Sequence, residues 1–458
     1  MYSHEEVYKE SLEYFNGDEL AASVFVNKYA LQNKDGNYLE KSPEDMHKRM
    51  AKELSRIESK YPNSMSKNEI FNLLKDFKYI VPQGSPMSGI GNEAKIQSLS
   101  NCFVVEAPYD SYAGILKTDQ ELAQIAKRRG GIGFDISTIR PRGLSTANAA
   151  KTTDGIEVFM DRFSNTCREV AQGGRRGALM LTISVHHPQV MDFIKIKRDL
   201  TKVTGANISV RVTDEFMKAV KADEHYTVRW PVDSDNPEIH DHIKATEVWN
   251  ALIEGAHASA EPGVLFWDTA KKMTPADIYE DEGFGSVSTN PCGEIILSPY
   301  DSCRLMLINL TSFVNNAWKP DAEFDYGRFR DIARKAQRLM DDMIDLEIEQ
   351  VDKILSKIDD DPEPDEVKFY ERNLWHNIRQ VALKGRRTGL GITGLGDTIA
   401  MLGQTYGSDE SIKITEEIYK WLSLASYEES INLAKERGPF PVINLEKELN
   451  HPFLDRVI

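Results

Sequence analysis

The chain has 458 residues, of which 41% are hydrophobic and 28% charged, with a formal net charge of −16. That describes a globular protein long enough for two or three domains, or for one large α/β barrel with an appended domain. No apolar run approaches a bilayer span, and Met1 leads straight into Tyr2-Ser3-His4-Glu5-Glu6. A membrane span and a signal peptide are therefore not expected, and the chain reads as cytoplasmic. The acidic balance argues against a general nucleic-acid binder and requires a local basic pocket for any anionic ligand.

The first eighty residues read as a helical domain. Ser3 with Glu6 forms a capping box ahead of Val7, Leu12 and Phe15. Residues 21–31 form a second helix, and Ser42-Pro43-Glu44 opens a third with Met46, Met50, Leu54 and Ile57 on one face. Three ExxH pairs occur, Glu44/His47, Glu254/His257 and Glu448/His451. They are scattered, whereas a di-iron site needs such pairs on facing helices, so no metal site is expected.

From residue 81 the texture changes to Gly/Pro-rich loops and short apolar runs, an α/β pattern that continues to residue 458. Residues 98–106 read as a buried strand with Cys102 at its start, 119–129 as a helix, and Gly130-Gly131-Ile132-Gly133-Phe134-Asp135 as a return to strand. Lys127, Arg128, Arg129, Arg140 and Arg142 around that passage are either a solvated basic face or a phosphate site. A helix over 157–170 puts Val158, Phe159, Phe163 and Val170 toward the core, with Cys167 as packing.

Gln172-Gly173-Gly174-Arg175-Arg176-Gly177-Ala178 sets two guanidinium groups on a glycine hinge, either a solvated turn or a gate over an anionic nucleotide. His186 and His187 are adjacent in a strand-like run, face opposite ways, and should not share a metal. Further helices are expected over 214–220, 245–256 and 326–349. In the last, Phe329, Ile332, Ala336, Leu339 and Met343 form the core stripe, leaving Asp341, Asp342, Asp345, Glu347 and Glu349 as a solvated face. The acidic stretch 359–366 reads as a surface insertion at about 355–370, and 411–437 as a long helix stopped by Gly438-Pro439.

The chain has four cysteines, Cys102, Cys167, Cys292 and Cys303, with no CxxC pair. Structural zinc and a disulfide scaffold are not expected, so any special thiol role is chemical. Asn290-Pro291-Cys292-Gly293-Glu294 is the stretch richest in chemistry, with an amide, a thiol and a carboxylate at alternate positions of a tight loop. The same five residues are also compatible with an ordinary turn around a buried Cys. A thiol hydrolase would need an activating His, and none lies nearby in sequence.

Ser100-Asn101-Cys102, Arg129-Gly130-Gly131-Ile132-Gly133, the Gln172–Gly177 loop, Asn290-Pro291-Cys292-Gly293-Glu294 and Cys303 occur in this order. Together they make the chain, from about Ser3 to its end, resemble the large catalytic subunit of ribonucleotide reductase of the class I/II type. The resemblance implies the ten-stranded α/β barrel of that family, incomplete in this chain, behind a helical region at residues 1–80. It implies that Cys292 carries a thiyl radical that abstracts the ribose 3′-hydrogen, that Glu294 takes the 3′-OH proton and that Asn290 binds a substrate hydroxyl. Cys102 and Cys303 would be the pair oxidised to a disulfide as the 2′-OH leaves as water. Ser85, Ser100, Asn101, Gln172, Arg175 and Arg176 would contact substrate, and Asp110, Lys127 and Arg140 a deoxynucleotide effector.

The family's ATP cone is absent from the N-terminus, and its later barrel strands and reducible Cys tail are not in this sequence. The expectation is one half of a split reductase or a truncated sequence, completed by a second chain. Further implied are a ribonucleotide diphosphate substrate, a homodimer, and a thioredoxin-type reductant. The radical source implied is adenosylcobalamin, with a metal-containing ferritin-like small subunit as the alternative. A different class of reading is a non-catalytic deoxynucleotide-binding assembly fragment.

Overall fold

The computed structural model describes residues 1–170 and 177–457, with the side chain of residue 457 left out. Gln172, Arg175 and Arg176 therefore lie outside the described residues. The N-terminal helices begin where their caps dictate. Ser3 accepts from the Glu6 amide and Glu6 accepts from the Ser3 amide over His4–Tyr14, and Ser66 with Glu69 repeats this box over Lys67–Leu74. Asp18 caps Glu19–Lys28, and Pro43 opens Pro43–Glu58. Met46, Met50, Leu54 and Ile57 are fully buried, as the helical spacing predicts.

In chain order the strands are β1 Ile80–Pro82, β2 Cys102–Val104, β3 Gly131–Asp135, β4 Leu179–Ser184, β5 Asn207–Val212, β6 His225–Trp230, β7 Ile239–Lys244, β8 Gly263–Phe266, β9 Ser288–Thr289, β10 Ile296–Leu297, β11 Ser302–Cys303, β12 Leu305–Asn309, β13 Val314–Asn315, β14 Glu323–Phe324 and β15 Gly389–Thr393. The main sheet has six strands in the order β11-β2-β3-β4-β5-β8. From β2 to β8 the neighbours are parallel, and β11 alone runs antiparallel at the edge. Helices Tyr112–Ala126, Ile156–Glu169 and Ala245–Ser259 pack on it, burying Leu122, Ile125, Phe163 and Leu252 with Ile132, Phe134, Leu181 and Val210. Only Arg304 separates β11 from β12, which belongs to a three-stranded sheet in the order β1-β12-β15. That sheet, the N-terminal helices and helices Tyr326–Asp360 and Asp409–Arg437 share a second core.

Three expectations are corrected. Val158 is exposed, so it does not belong to the core face of its helix. The loop expected over 359–366 is only a turn at 361–364, because helix Tyr326–Asp360 runs to Asp360 and Asp365–Gly385 starts directly after the turn. The carboxylates of the long helix are not a solvated face, because Asp342 and Glu347 are 0% exposed. Arg437 pairs with Glu58, Asp341 and Asp342, Arg386 with Asp341 and Asp345, and Arg338 with Glu58 and Glu436. The helix packs on both sides, so its polar side needed charged partners rather than water.

Candidate active site

The Asn290–Glu294 stretch is the tip of a hairpin between β9 and β10, which pair Ile296 with Thr289 and Leu297 with Ser288. The turn is closed by the Asn290 amide on the Ile295 carbonyl at 3.1 Å and the Gly293 amide on the Asn290 carbonyl at 3.0 Å. Gly293 has φ +82°, a left-handed conformation that side chains rarely adopt. Asn290 is fully buried, while Cys292 and Glu294 are exposed at the tip.

The glycines of β3 are explained by this loop. A Cβ at Gly133 would overlap the Thr289 carbonyl oxygen, and one at Gly131 would lie 2.9 Å from Pro291 Cγ. The hairpin thus sits directly on the sheet. Asn207 of β5 donates to the Pro291 carbonyl at 2.8 Å. The Thr182 hydroxyl lies 3.0 Å from Ser288 Oγ and donates to Asp135 at 2.8 Å. Arg211 pairs with Asp135 at 2.9 Å and donates to the Val287 carbonyl at 3.1 Å.

Beside the hairpin, the antiparallel register of β11 on β2 sets Cys303 directly opposite Cys102. Residues so opposed have Cβ atoms about 4.5–5.5 Å apart, against about 3.5–4.5 Å in a disulfide, so a small shift would join them. Both are buried and neither is in a disulfide. The Asn290 Nδ2 donates to Cys102 Sγ at 3.4 Å, while its Oδ1 accepts from the Ile295 amide at 3.0 Å. One buried amide therefore fixes both the hairpin and a thiol. Burial pushes the Cys303 thiol well above the ordinary range, and neighbouring Cys102 adds to this; Arg304 and Arg387 pull it down, and Glu294 pushes it up.

The other residues singled out in sequence divide. Asn101 Oδ1 accepts from the Ser85 amide at 2.7 Å and Nδ2 donates to the Gln83 carbonyl at 3.3 Å, which fixes the turn beside β2. The Ser85 hydroxyl is buried and has no hydrogen-bond partner among the described residues. Ser100 points the other way, donating to Glu347 at 2.9 Å. Asp110 and Arg140 meet, through the Arg140 amide at 2.9 Å and Nε at 2.7 Å. Lys127 lies at the opposite end of helix Tyr112–Ala126, about 22 Å along its axis from that pair, bonded to Glu371 at 2.7 Å. Arg142 pairs with Glu157 and Arg128 with Glu371, so carboxylates already meet much of this positive charge.

Cys167 is packed in the main core, and burial pushes its thiol up to about 11. His186 and His187 have separate partners, Thr227 and Thr213 for the first and Ile139 for the second. Among the described residues no group of three or more His, Cys, Asp or Glu could hold a metal, and no helix is long and apolar enough to cross a membrane. Sequence reading missed Asn207, Asp135, Thr182 and Glu347 at this site, since isolated polar residues on a strand or helix carry no local motif.

The model of the ribonucleotide reductase barrel domain matches residues 100–451, and that of the ribonucleotide reductase all-alpha domain matches residues 15–90. The chain belongs to the ribonucleotide reductase large subunits. It is 29% identical over 427 residues to a vitamin B12-dependent ribonucleoside-diphosphate reductase of Mycobacterium tuberculosis, covering 92% of this chain and 56% of that one. With the enzyme of that name from Thermoplasma acidophilum it is 34% identical over 367 residues, 79% of this chain and 42% of that one. The Actinobacillus ureae class Id ribonucleotide reductase alpha subunit shares the fold, with TM-score 0.64 at 19% identity over 86% of this chain and 65% of that one. The chain thus spans about half the length of the curated relatives it matches.

Proposed function

We propose that this chain supplies the thiol centre of a ribonucleoside-diphosphate reductase. The observation that carries the reading is the β2–β11 register: it opposes Cys102 and Cys303, and Asn290 ties that pair to the hairpin bearing Cys292 and Glu294. Reducing a C2′–OH bond takes two electrons, and two opposed thiols supply them on becoming a disulfide while the oxygen leaves as water. Cys292, exposed at a tip locked by its own hydrogen bonds, takes the ribose 3′-hydrogen as a thiyl radical and returns it at the end. Glu294 beside it accepts the 3′-OH proton, Asn290 orients the ribose, and the Ser85 hydroxyl, buried and without a partner among the described residues, donates to a substrate oxygen. Ser100, Asn101, Gln172, Arg175 and Arg176 complete the substrate side.

The exposed Cys292 thiol suits an external radical source, and the two B12-dependent relatives favour adenosylcobalamin over a ferritin-like metal subunit. When bound, that cofactor supplies the one-electron oxidation of the Cys292 S–H. The Asp110–Arg140 pair belongs to a deoxynucleotide effector site that tunes substrate choice. A second chain carrying the remaining barrel segments, a homodimeric assembly and a thioredoxin-type reductant complete the enzyme in the cytoplasm.

The test is reduction of CDP with dithiothreitol and adenosylcobalamin, with and without a chain supplying the remaining barrel. Deoxycytidine product that needs the complement and disappears in Cys292→Ala is expected. Effector binding without turnover in any mixture would leave a non-catalytic assembly module instead.

A further inference from the structure

Glu347 lies midway along helix Tyr326–Asp360 and is 0% exposed. It accepts the Ser98 hydroxyl at 2.5 Å, the Leu99 amide at 2.6 Å and the Ser100 hydroxyl at 2.9 Å. These are the residues that lead into Cys102. Ser100 Oγ lies 3.2 Å from Ser302 Oγ on the opposite strand, and Ser302 Oγ accepts from Arg304 at 2.9 Å. A single chain of bonds therefore runs from Glu347 across both strands of the cysteine pair, one residue or two from each sulfur. Arg304, itself 0% exposed, flanks Cys303 and is attracted to the Glu347 charge.

We propose that Glu347 is the positioning residue of the Cys102–Cys303 pair, its carboxylate holding the two strands in the register that lets the sulfurs meet. The physical argument is the shortness of β11. Two residues pair with β2 there, and so short a ladder has little power to fix a register by itself. A buried carboxylate accepting three hydrogen bonds is strong and geometrically demanding. Together with Asp301 it also balances the buried Arg304 guanidinium beside a thiol.

This role rests on the reading of Cys102 and Cys303 as the reducing pair, and the experiment separates the two. The full chain is equilibrated in buffers of defined oxidised and reduced glutathione, quenched, and the Cys102–Cys303 disulfide measured by mass spectrometry of its peptides. In this exchange the two thiols give up two electrons and two protons as one oxidised glutathione becomes two reduced ones. Wild type should form the disulfide. Glu347→Ala should lower its equilibrium constant about tenfold, the scale set by losing one or two net hydrogen bonds. Glu347→Gln, which still offers an acceptor to the Leu99 amide, should recover most of that loss, and Glu349→Ala on the same helix should change nothing.

No disulfide in wild type at any ratio would remove the redox reading and the role of Glu347 with it. A disulfide in wild type with an unchanged constant in Glu347→Ala, or with no recovery in Glu347→Gln, would overturn the role of Glu347 alone. Should Glu347→Ala fail to fold, Ser100→Ala decides, since it cuts the bridge from Glu347 to Ser302 and leaves Glu347 bonded to Ser98 and the Leu99 amide: a weakened disulfide supports the proposal and an unchanged one overturns it.

Discussion

Gly133→Ala is the sharpest test of how the sheet carries the reactive loop. An added Cβ would land on the Thr289 carbonyl oxygen, the residue before Asn290. Neither partner can yield cheaply, because both are backbone: Gly133 is paired with Val104's strand on one side and Met180 on the other, and Thr289 is paired with Ile296. Overpacking of this kind costs about 1–3 kcal/mol. The relief available is for the β9–β10 hairpin to lift off the sheet, and a displacement of about 1 Å at a reacting group is worth on the order of a hundredfold in rate. The expected result is an unfolding free energy lowered by that amount in urea titration, with turnover in the complemented enzyme falling far more than stability does. Gly131→Ala, which meets the movable Pro291 ring at 2.9 Å, should show a weaker version of both effects. Gly396→Ala, where a Cβ meets nothing within 4 Å, is the control and should be neutral or mildly stabilising. A Gly133→Ala protein as stable and as active as wild type would refute the close packing of hairpin on sheet.

Stability should also fall on mild acidification. Burial holds His47 and His187 at a pKa of about 4, below the usual 6.5. Among the described residues neither His47 nitrogen has a hydrogen-bond partner, and His187 Nδ1 accepts from the Gln189 amide, so an added proton is unwelcome at both. The unfolded chain then binds more protons between pH 6.5 and 4, and the contribution present above 6.5 is lost as pH falls, on the order of 1–2 kcal/mol per histidine by pH 5. Urea midpoints at pH 7 and pH 5 measure this, and His47→Leu should flatten the slope; a slope equal to that of wild type would exclude His47 as a contributor. Asn207→Ala should remove the bond to the Pro291 carbonyl, lowering turnover at least as much as Cys292 presentation loosens, with a stability change of about 1 kcal/mol. Equal turnover in that variant would show that the hairpin does not depend on it.

Legibility followed how local each signal is. The Ser3–Glu6 box, the Met46-Met50-Leu54-Ile57 face and the Ser411–Arg437 helix were readable because caps and periodicity act within a few residues. The tight loop at Asn290–Glu294 was readable because Pro291 and Gly293 act locally, whereas the roles given to its side chains came from family resemblance. The meeting of Cys102 with Cys303 came from family resemblance, as nothing local links two strands so distant in sequence. The carboxylates of the long helix were misread for a definite reason: hydrophobic periodicity identifies one buried face, and this helix has packing on its polar face too. Glu347 and Asp342 are buried by segments whose approach no pattern in their own helix announces. The glycines of β3 were seen, but as a passage near a basic cluster; their use is to admit a backbone arriving more than 150 residues later.

A division of labour follows from strand lengths. The scaffold strands β4 and β5 have six residues each, whereas β9 and β10, which flank Cys292 and Glu294, and β11, which carries Cys303, have two each. Ladder hydrogen bonds therefore hold the scaffold, but too few are left to fix the reactive segments. Side chains fix those segments instead, with Asn207 on the Pro291 carbonyl, Thr182 on Ser288, Asn290 across to Cys102, and Glu347 behind Ser98 to Ser100. A centre built this way would let the two opposed thiols close into the proposed disulfide by a small shift without breaking the sheet. Its accuracy then depends on buried polar side chains whose loss would harm chemistry before it harmed folding.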